Sequence, residues 1–184
     1  MLLALAASPF AASASSLFAQ TGRSRMLLFL SALAALSSAA SASCTTPLAL
    51  IQSTPTLSVL SAALRLDADL ELTLGNASAV LTVFAPSDAA YNASFQRFNQ
   101  PEAAFFSNVS LVKRVLRYQV VPGMALKPHA GGGRRVLPTL YPGKFLELQG
   151  LEVRSAGGSD ARVVGQRDAC AASLLLLDNI VLFS

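Results

Sequence analysis

The sequence predicts an α+β domain in which a wedge of β-strands packs with several short helices clustered in the N-terminal half. Two observations favour this fold class. Apolar residues recur at helical spacing as far as Tyr118, whereas from Gln119 onward short apolar runs alternate with turns that contain Gly and Pro. Helices followed by strands indicate a segregated α+β architecture and not alternating α/β units.

The N-terminal third of the chain has the composition of a targeting leader. It contains no acidic residue before Asp67, and Arg23 and Arg25 precede a short apolar run and then small residues, which is the pattern of a secretory signal peptide. We therefore assign 1–42 as a leader, with 1–25 interpreted as an extension ahead of the true start. A transit peptide for a plastid or another organelle is the alternative, because such peptides are also rich in Ser and poor in acids.

Removing the leader leaves 142 of the 184 residues, a common size for one domain. We divide this part into a polar lead-in segment, 43–54, and a single domain, 55–184. Two of the 14 Lys and Arg lie in the leader, so the predicted mature chain carries 12 basic and 10 acidic side chains. This small positive excess does not indicate nucleic-acid binding. We also expect no stable membrane insertion once the leader is removed.

Short helices are predicted through the first half of the domain. Apolar residues repeat at helical spacing behind Thr56, a suitable N-cap, and Gly75–Asn76 ends the next helix. Pro101 opens a further helix, and Ser110 caps the last one. The predicted helices cover 57–64, 68–74, 88–93, 101–106 and 111–118.

The segment 82–91 predicts a strand, a sharp corner and a helix. Its first residues alternate as in a half-buried strand, and Pro86 ends the ladder because proline has no N–H to donate. Ser87 can cap the following helix. Asp88 lies in the first turn of that helix, where a negative charge suits the helix dipole.

Short strands are predicted through the second half. The run 174–177 is continuously apolar, as expected for a central strand buried on both faces. The segment from Lys127 to Arg135, which contains three consecutive glycines, is predicted to be the most flexible loop. The predicted strands after the last helix cover 120–121, 136–140, 145–148, 151–154, 162–165 and 174–183.

Two segments, 82–91 and 117–123, resemble boxes of the fasciclin (FAS1-type) domain family, an extracellular adhesion module. The first box matches the family pattern at Thr82, Phe84, Ala85, Pro86, Ser87, Asp88, Ala90 and Tyr91. The central box and the later boxes match it at Tyr118, Val121, Pro122, Gly123, Thr139, Leu140, Gly143, Leu146, Asp178, Val181 and Leu182. The resemblance extends over 55–183, nearly all of the predicted mature chain.

The resemblance implies a fasciclin-like wedge and a binding module without enzymatic activity. Gln119 and Leu175 stand where the family has histidines. In many family members the tyrosine-histidine region is credited with integrin or partner binding, and this chain lacks that histidine. We expect the fold to tolerate both changes, because an amide can still hydrogen-bond and leucine can fill apolar space.

Cys44 and Cys170 are the only cysteines of the chain. In an oxidising compartment an even number of cysteines favours a disulfide, which here would join the new N-terminus to a strand near the C-terminus. The alternative is a pair of free thiols. Their spacing has no metal-ligand pattern.

Three N-glycosylation sequons occur at Asn76, Asn92 and Asn108, each with Ser two residues later and no intervening proline. Each sequon falls at a predicted turn or helix end, where an acceptor is accessible. In an exported protein these sites predict glycans. In an organelle protein they are ordinary turn asparagines.

The polar residues show no catalytic, metal-binding or cofactor-binding pattern. His129, the only histidine, lies alone in the glycine-rich loop, and the acidic cluster at 67–71 lacks the glycine and the terminal glutamate of a calcium loop. We therefore predict no enzyme, no metal and no cofactor. The side chains interpreted as solvated helix faces are Asp67, Asp69, Glu71, Lys113, Arg114 and Arg117.

The sequence as a whole predicts a secreted cell-adhesion or extracellular-matrix protein. Its expected partners are a matrix polysaccharide, a matrix glycoprotein or a second copy of the chain. Two alternatives stay open. One is an organelle-lumen protein of the same fold, and the other is a soluble carrier of a small apolar ligand held between the helices and the wedge of strands.

Overall fold

The structure, a computed structural model, describes residues 44–183. The predicted leader, 1–42, and the predicted mature start at Ser43 lie outside the described residues. The helices are α1 (Pro47–Ser53), α2 (Ser58–Leu64), α3 (Ala68–Gly75), α4 (Asp88–Arg97), α5 (Glu102–Ser107) and α6 (Val109–Tyr118), with a 3₁₀ turn at Pro55–Leu57. The strands are β1 (Leu81–Pro86), β2 (Val120–Pro122), β3 (Arg134–Pro138), β4 (Phe145–Gln149), β5 (Glu152–Ser155), β6 (Asp160–Ala169) and β7 (Ala172–Leu177).

The strands form one seven-stranded sheet in the order β2-β1-β7-β6-β5-β4-β3. β1 and β7 pair in parallel, and the other neighbouring strands pair antiparallel. The two edges of the sheet approach each other, because the Leu140 amide just beyond β3 donates to the Val120 carbonyl of β2 at 2.8 Å. The sheet is therefore nearly a closed barrel. Together with the helices it confirms the predicted α+β class.

β1 and β7 run through the centre of the molecule and carry apolar side chains on both faces. On one face Val83 and Leu174 pack with the helices, and on the other Phe84 and Leu175 pack with residues of β3 to β6. Every residue of β1 is buried. The predicted half-buried strand is therefore wrong, because the alternation in β1 separates two apolar clusters and not core from solvent.

The lead-in segment contains a helix that the sequence did not predict. The Thr46 hydroxyl caps α1 by accepting from the Ala49 amide at 3.3 Å, and Ile51 is fully buried in the helical core. α1 has only seven residues, and a helix of this length depends on tertiary packing for its stability. Its apolar pattern is too short to be recognised in the sequence.

Two predicted caps are corrected. Asn108, and not Ser110, caps α6, because its side-chain oxygen accepts from the Leu111 amide at 3.1 Å. Thr56 lies inside the 3₁₀ turn, and α2 begins at Ser58 without a cap from its own preceding residue. The free N–H groups in the first turn of α2 must therefore find hydrogen-bond acceptors elsewhere in the fold.

β7 is shorter than predicted. It ends at Leu177, whereas the prediction extended it to 183. Beyond it the Asp178 carboxylate accepts from the Arg162 amide at 2.7 Å, and the Asn179 side chain donates to the Asp160 carbonyl at 2.8 Å. These side-chain hydrogen bonds replace the strand ladder, so the chain leaves the sheet.

Candidate functional site

The first box of the motif anchors the centre of the sheet. The buried Thr82 hydroxyl donates to the Met124 carbonyl at 2.8 Å and accepts from the Leu126 amide at 2.9 Å. The Phe84 amide donates to the Gln119 carbonyl at 2.8 Å. These bonds hold the segment around the central box against β1.

The corner after β1 caps two helices. The Ser87 hydroxyl caps its own helix, α4, by accepting from the Ala90 amide at 3.3 Å. The Asp88 carboxylate instead reaches α2, where it accepts from the Ser58 hydroxyl at 2.8 Å and from the Val59 amide at 2.9 Å. Asp88 therefore supplies the cap that α2 lacks locally.

The central box forms the end of α6 and the edge strand β2. The Tyr118 hydroxyl donates to the Phe145 carbonyl at 2.9 Å, and burial raises the pKa of Tyr118. Val121 packs in the strand-side core. Gly123 has φ of 78° and donates its amide to the Val80 carbonyl at 2.8 Å. This left-handed turn requires the conformational freedom of glycine.

Gln119 and Leu175, at the positions of the family histidines, flank Phe84. The Gln119 carbonyl at the end of α6 accepts from the Phe84 amide, and Leu175 on β7 is the register partner of Phe84. Leu175 is fully buried and fills apolar space, as expected. The Gln119 amide group is also buried beside the Tyr91 hydroxyl, but within residues 44–183 neither group makes a hydrogen bond of regular geometry. Gln119 nevertheless lies close enough to Tyr91 to oppose, in part, the effect of burial on the pKa of that hydroxyl. The hydrogen bond expected of the amide is therefore not formed with regular geometry. Burial raises the pKa of Tyr91 above its ordinary range.

Asp67 and Arg117 are not solvated side chains, as the sequence predicted, but partners in an ion pair. Asp67 is fully buried, and its carboxylate accepts two hydrogen bonds from the Arg117 guanidinium at 2.7 and 2.8 Å. The Arg117 hydrogen bond holds the pKa of Asp67 below its usual range, and the same bond raises the pKa of Arg117. The pair links the loop before α3 to α6. The sequence could not show this, because the partners are 50 residues apart.

The structure joins Cys44 and Cys170 in a disulfide, with their Cα atoms 5.0 Å apart. Cys170 lies in the turn between β6 and β7, with φ of 53°. The bond ties the start of the described chain to the middle of the sheet across a sequence separation of 126 residues.

The three sequon asparagines are exposed on the helical elements. Asn76 follows α3 and Asn108 caps α6, whereas Asn92 lies inside α4 and not at the helix end that the sequence predicted. The side-chain oxygens of Asn76 and Asn108 accept backbone hydrogen bonds, which leaves the amide nitrogen of each available. Glycans on these sites would be attached to the helical elements and not to the strands.

The hairpin of β3 and β4 carries an exposed apolar surface. Leu137 and Leu146 pair on its buried face, so Val136, Pro138 and Phe145 lie on its outer face. Val136 is 63% exposed and Phe145 is 51% exposed. We name Val136, Pro138 and Phe145 the hairpin patch.

An ion pair borders the hairpin patch on the same outer face. The Arg134 guanidinium lies 2.6 Å from the Glu147 carboxylate, and Glu147 is the cross-strand partner of Val136. An apolar centre with a polar rim is the arrangement found in protein interfaces. The sequence analysis missed this surface, because the strand register decides which alternate residues face outward.

Residues 44–183 contain neither a group of side chains that could bind a metal ion nor a single helix that could cross a membrane. Within 44–183, no three His, Cys, Asp or Glu side chains are grouped so that they could hold a metal ion. In the same range no single helix is long and apolar enough to cross a membrane. One pair of helices, Pro47–Ser53 with Pro55–Leu64, reaches that length and composition only jointly and is bent by 105°.

Comparison with known proteins identifies the family. The fasciclin domain model matches residues 55–176, whereas no curated protein sequence matches the chain. A solved FAS1 domain pair from the insect cell adhesion molecule fasciclin I is similar with a TM-score of 0.48 and 15% identity, over 67% of this chain and 45% of that chain. This chain thus spans less than half of the domain pair. Because the family model matches well over half of the chain, the chain belongs to the fasciclin domain family.

Proposed function

We propose that this chain is a secreted, non-enzymatic adhesion or extracellular-matrix protein whose partner binds the hairpin patch. Fasciclin domains are typically adhesion-related binding modules, and the chain belongs to that family. The observation that carries the proposal is the exposure of Val136 and Phe145 side by side with Pro138 on paired strands.

The hairpin patch is well suited to binding because its backbone is already held in place. Strand pairing fixes the backbone on both sides of the patch, so little conformational entropy is lost when a partner binds. Covering the exposed part of Phe145 or Val136 would contribute about 0.8–1.5 kcal/mol each, roughly half the value for full burial of such a side chain.

The partner that fits this surface best is a matrix glycoprotein that binds through its protein surface. The three side chains of the patch are apolar, and the Arg134 and Glu147 charges on the same face compensate each other. An acidic polysaccharide would need uncompensated cations at this position. Polysaccharide binding and self-association are therefore alternative outcomes of the test.

Secretion is supported by the disulfide and by the exposed sequons. Disulfides persist in oxidising compartments, and the Cys44–Cys170 bond closes most of the described chain. Mass spectrometry of the endogenous protein tests this part of the proposal. A mature start near Ser43 with a glycan on Asn76, Asn92 or Asn108 is expected. An unglycosylated product recovered from an organelle would favour the organelle-lumen alternative.

Cell attachment tests the binding surface. Plates coated with the mature protein should retain cells that express the chain, and the double variant Val136→Ser and Phe145→Ser should retain far fewer. Val164→Ser is the matched control, because Val164 on β6 is also 63% exposed but lies outside the patch. An equal loss of attached cells with the Val164→Ser control, or full cell attachment to the double variant, would refute the assignment of the binding surface.

The same assay distinguishes the three partner classes. Protease treatment of the cells should abolish attachment to the wild-type protein if the partner is a glycoprotein. Loss on polysaccharide digestion alone would indicate a polysaccharide partner. Clustering of coated beads without cells would indicate self-association.

A further inference from the structure

A second concave site lies among the helices, on elements that do not include the hairpin patch. It is a pocket of about 270 Å³ bounded by α4, α5, α6 and the segment after β7. Its wall is largely aromatic and aliphatic. The residues that matter most are Phe95, Phe98, Phe105, Leu111, Val115 and Phe183.

Two polar side chains interrupt this apolar wall. Ser94 lines the pocket and is only 6% exposed, yet its hydroxyl has no hydrogen-bond partner within residues 44–183. The Gln100 side chain also lines the pocket and makes no hydrogen bond in the same range. Both groups are therefore free to hydrogen-bond a ligand that enters the pocket, and they give one end of the apolar wall a polar character.

A cation lies against one wall of the pocket. The Arg114 guanidinium sits over the Phe183 ring, 5.7 Å from its centroid, and Arg114 directly precedes the lining residue Val115 on α6. Its Nε donates to the Ser110 carbonyl at 3.3 Å, and it pairs with no carboxylate in the described chain. Arg114 is therefore exposed, as predicted, but also available to an anionic group beside the pocket.

We propose that this pocket binds a small apolar molecule that carries one carboxylate. The apolar body of the molecule lies among the phenyl rings. Ser94 and Gln100 hydrogen-bond its carboxylate, and Arg114 attracts the negative charge of the same group. A dry cavity on the order of 150 Å³ accommodates benzene, so a two-ring aromatic acid suits the larger pocket. This binding activity goes beyond adhesion and does not depend on the hairpin patch.

Naphthalene-1-carboxylate and its neutral analogue naphthalene-1-methanol test the proposal on the mature protein. Their fluorescence can be followed directly, because the chain contains no tryptophan. The wild-type protein should bind the carboxylate more tightly than the alcohol. Arg114→Gln should weaken carboxylate binding about three- to fivefold, as expected for a solvent-accessible ion pair, and leave alcohol binding unchanged. Arg135→Gln, which removes an exposed arginine from β3, is the control and should change neither affinity.

Occlusion of the pocket provides a second test. Leu111→Trp should abolish binding of both probes, since Leu111 is only partly buried and the larger ring can enter the pocket. Its circular dichroism spectrum and melting curve show whether it folds. If this variant does not fold, Phe98→Ala at the exposed mouth of the pocket should weaken the binding of both probes.

Several results would overturn the proposal. The first is that the wild-type protein binds neither probe. The second is that Arg114→Gln and Arg135→Gln change carboxylate affinity equally. The third is that folded Leu111→Trp and Phe98→Ala bind both probes as tightly as the wild type. Sedimentation could give a further contradicting result. A wild-type dimer that Phe98→Ala converts to a monomer would show that a second copy occupies the pocket instead.

Discussion

At the residue scale, Asp67 is the one charged side chain that is buried within residues 44–183. Because Arg117 lowers its pKa, this carboxylate stabilises the fold at pH values above the unfolded pKa of about 3.9, and the contribution is lost as pH falls through the lower folded pKa. The partner Arg117 is 37% exposed, so water partly screens the pair.

Asp67→Asn should therefore lower the free energy of unfolding at pH 7 by about 1–3 kcal/mol and flatten its decline below pH ~4. Urea denaturation at several pH values measures both effects. Asp69→Asn is the control, because Asp69 contacts the same guanidinium at 3.5 Å but its side chain is 91% exposed. A variant of Asp67 that keeps the acid decline of the wild type would contradict the assigned role.

Substitution of Gln119 is predicted to raise the free energy of unfolding, whereas substitution of Asp67 lowers it. Its amide is buried without a partner, so Gln119→Met keeps the shape and removes two unsatisfied polar atoms. We expect a gain in unfolding free energy of about 1 kcal/mol or more. Gln166→Met, at an exposed position of β6, should change little. A loss of stability in Gln119→Met, measured by thermal denaturation, would mean that the amide has a partner in solution.

At the element scale, α2 depends on a cap supplied by α4. Asp88→Ala should cost about 1–2 kcal/mol of stability, because the Ser58 and Val59 groups lose their acceptor. Hydrogen exchange should become faster at the first amides of α2. Ser87→Ala should instead affect the first turn of α4. If Asp88→Ala leaves exchange in α2 unchanged, the cap across the two helices is not formed.

The elements that could be predicted are those with local signals. Gly75–Asn76 marks the end of α3, and Pro86 with Ser87 marks the corner between β1 and α4. α1 does carry a local start signal, because Thr46 precedes Pro47 at the first helical position, but its apolar pattern covers only two turns and is too short to predict a helix. The missing cap of α2 comes from a residue 30 positions away. A contact between distant parts of the chain supplies the cap of α2, and periodicity cannot reveal it.

At the scale of the whole molecule, the disulfide fastens α1 and the helical core to the sheet. The double variant Cys44→Ser and Cys170→Ser should lose about 2–4 kcal/mol, because the bond closes a loop of more than 100 residues. Calorimetry of the variant and of the reduced wild-type protein measures the loss. Both should unfold at the same lowered temperature. An unchanged transition after complete reduction would contradict a stabilising role.

The family-like boxes allowed the fold class to be predicted, but not the surfaces. Most box residues are interior: Thr82, Phe84 and Tyr118 are buried and hold the strands together. They therefore indicate how the chain folds and say little about what it binds. The hairpin patch depends on strand register, and the aromatic pocket depends on how three helices meet the C-terminal segment. Neither arrangement is encoded in a local motif.

Hydroxyl-radical footprinting of the protein bound to attached cells tests the proposed binding surface most directly. Phe145 in the hairpin patch and Phe98 on the helical side have similar exposure, 51% and 56%, so each ring serves as the reference for the other. We predict that attachment slows oxidation of Phe145 several-fold and leaves oxidation of Phe98 unchanged. Protection of Phe98 with undiminished oxidation of Phe145 would place the partner on the helices and contradict the proposed surface.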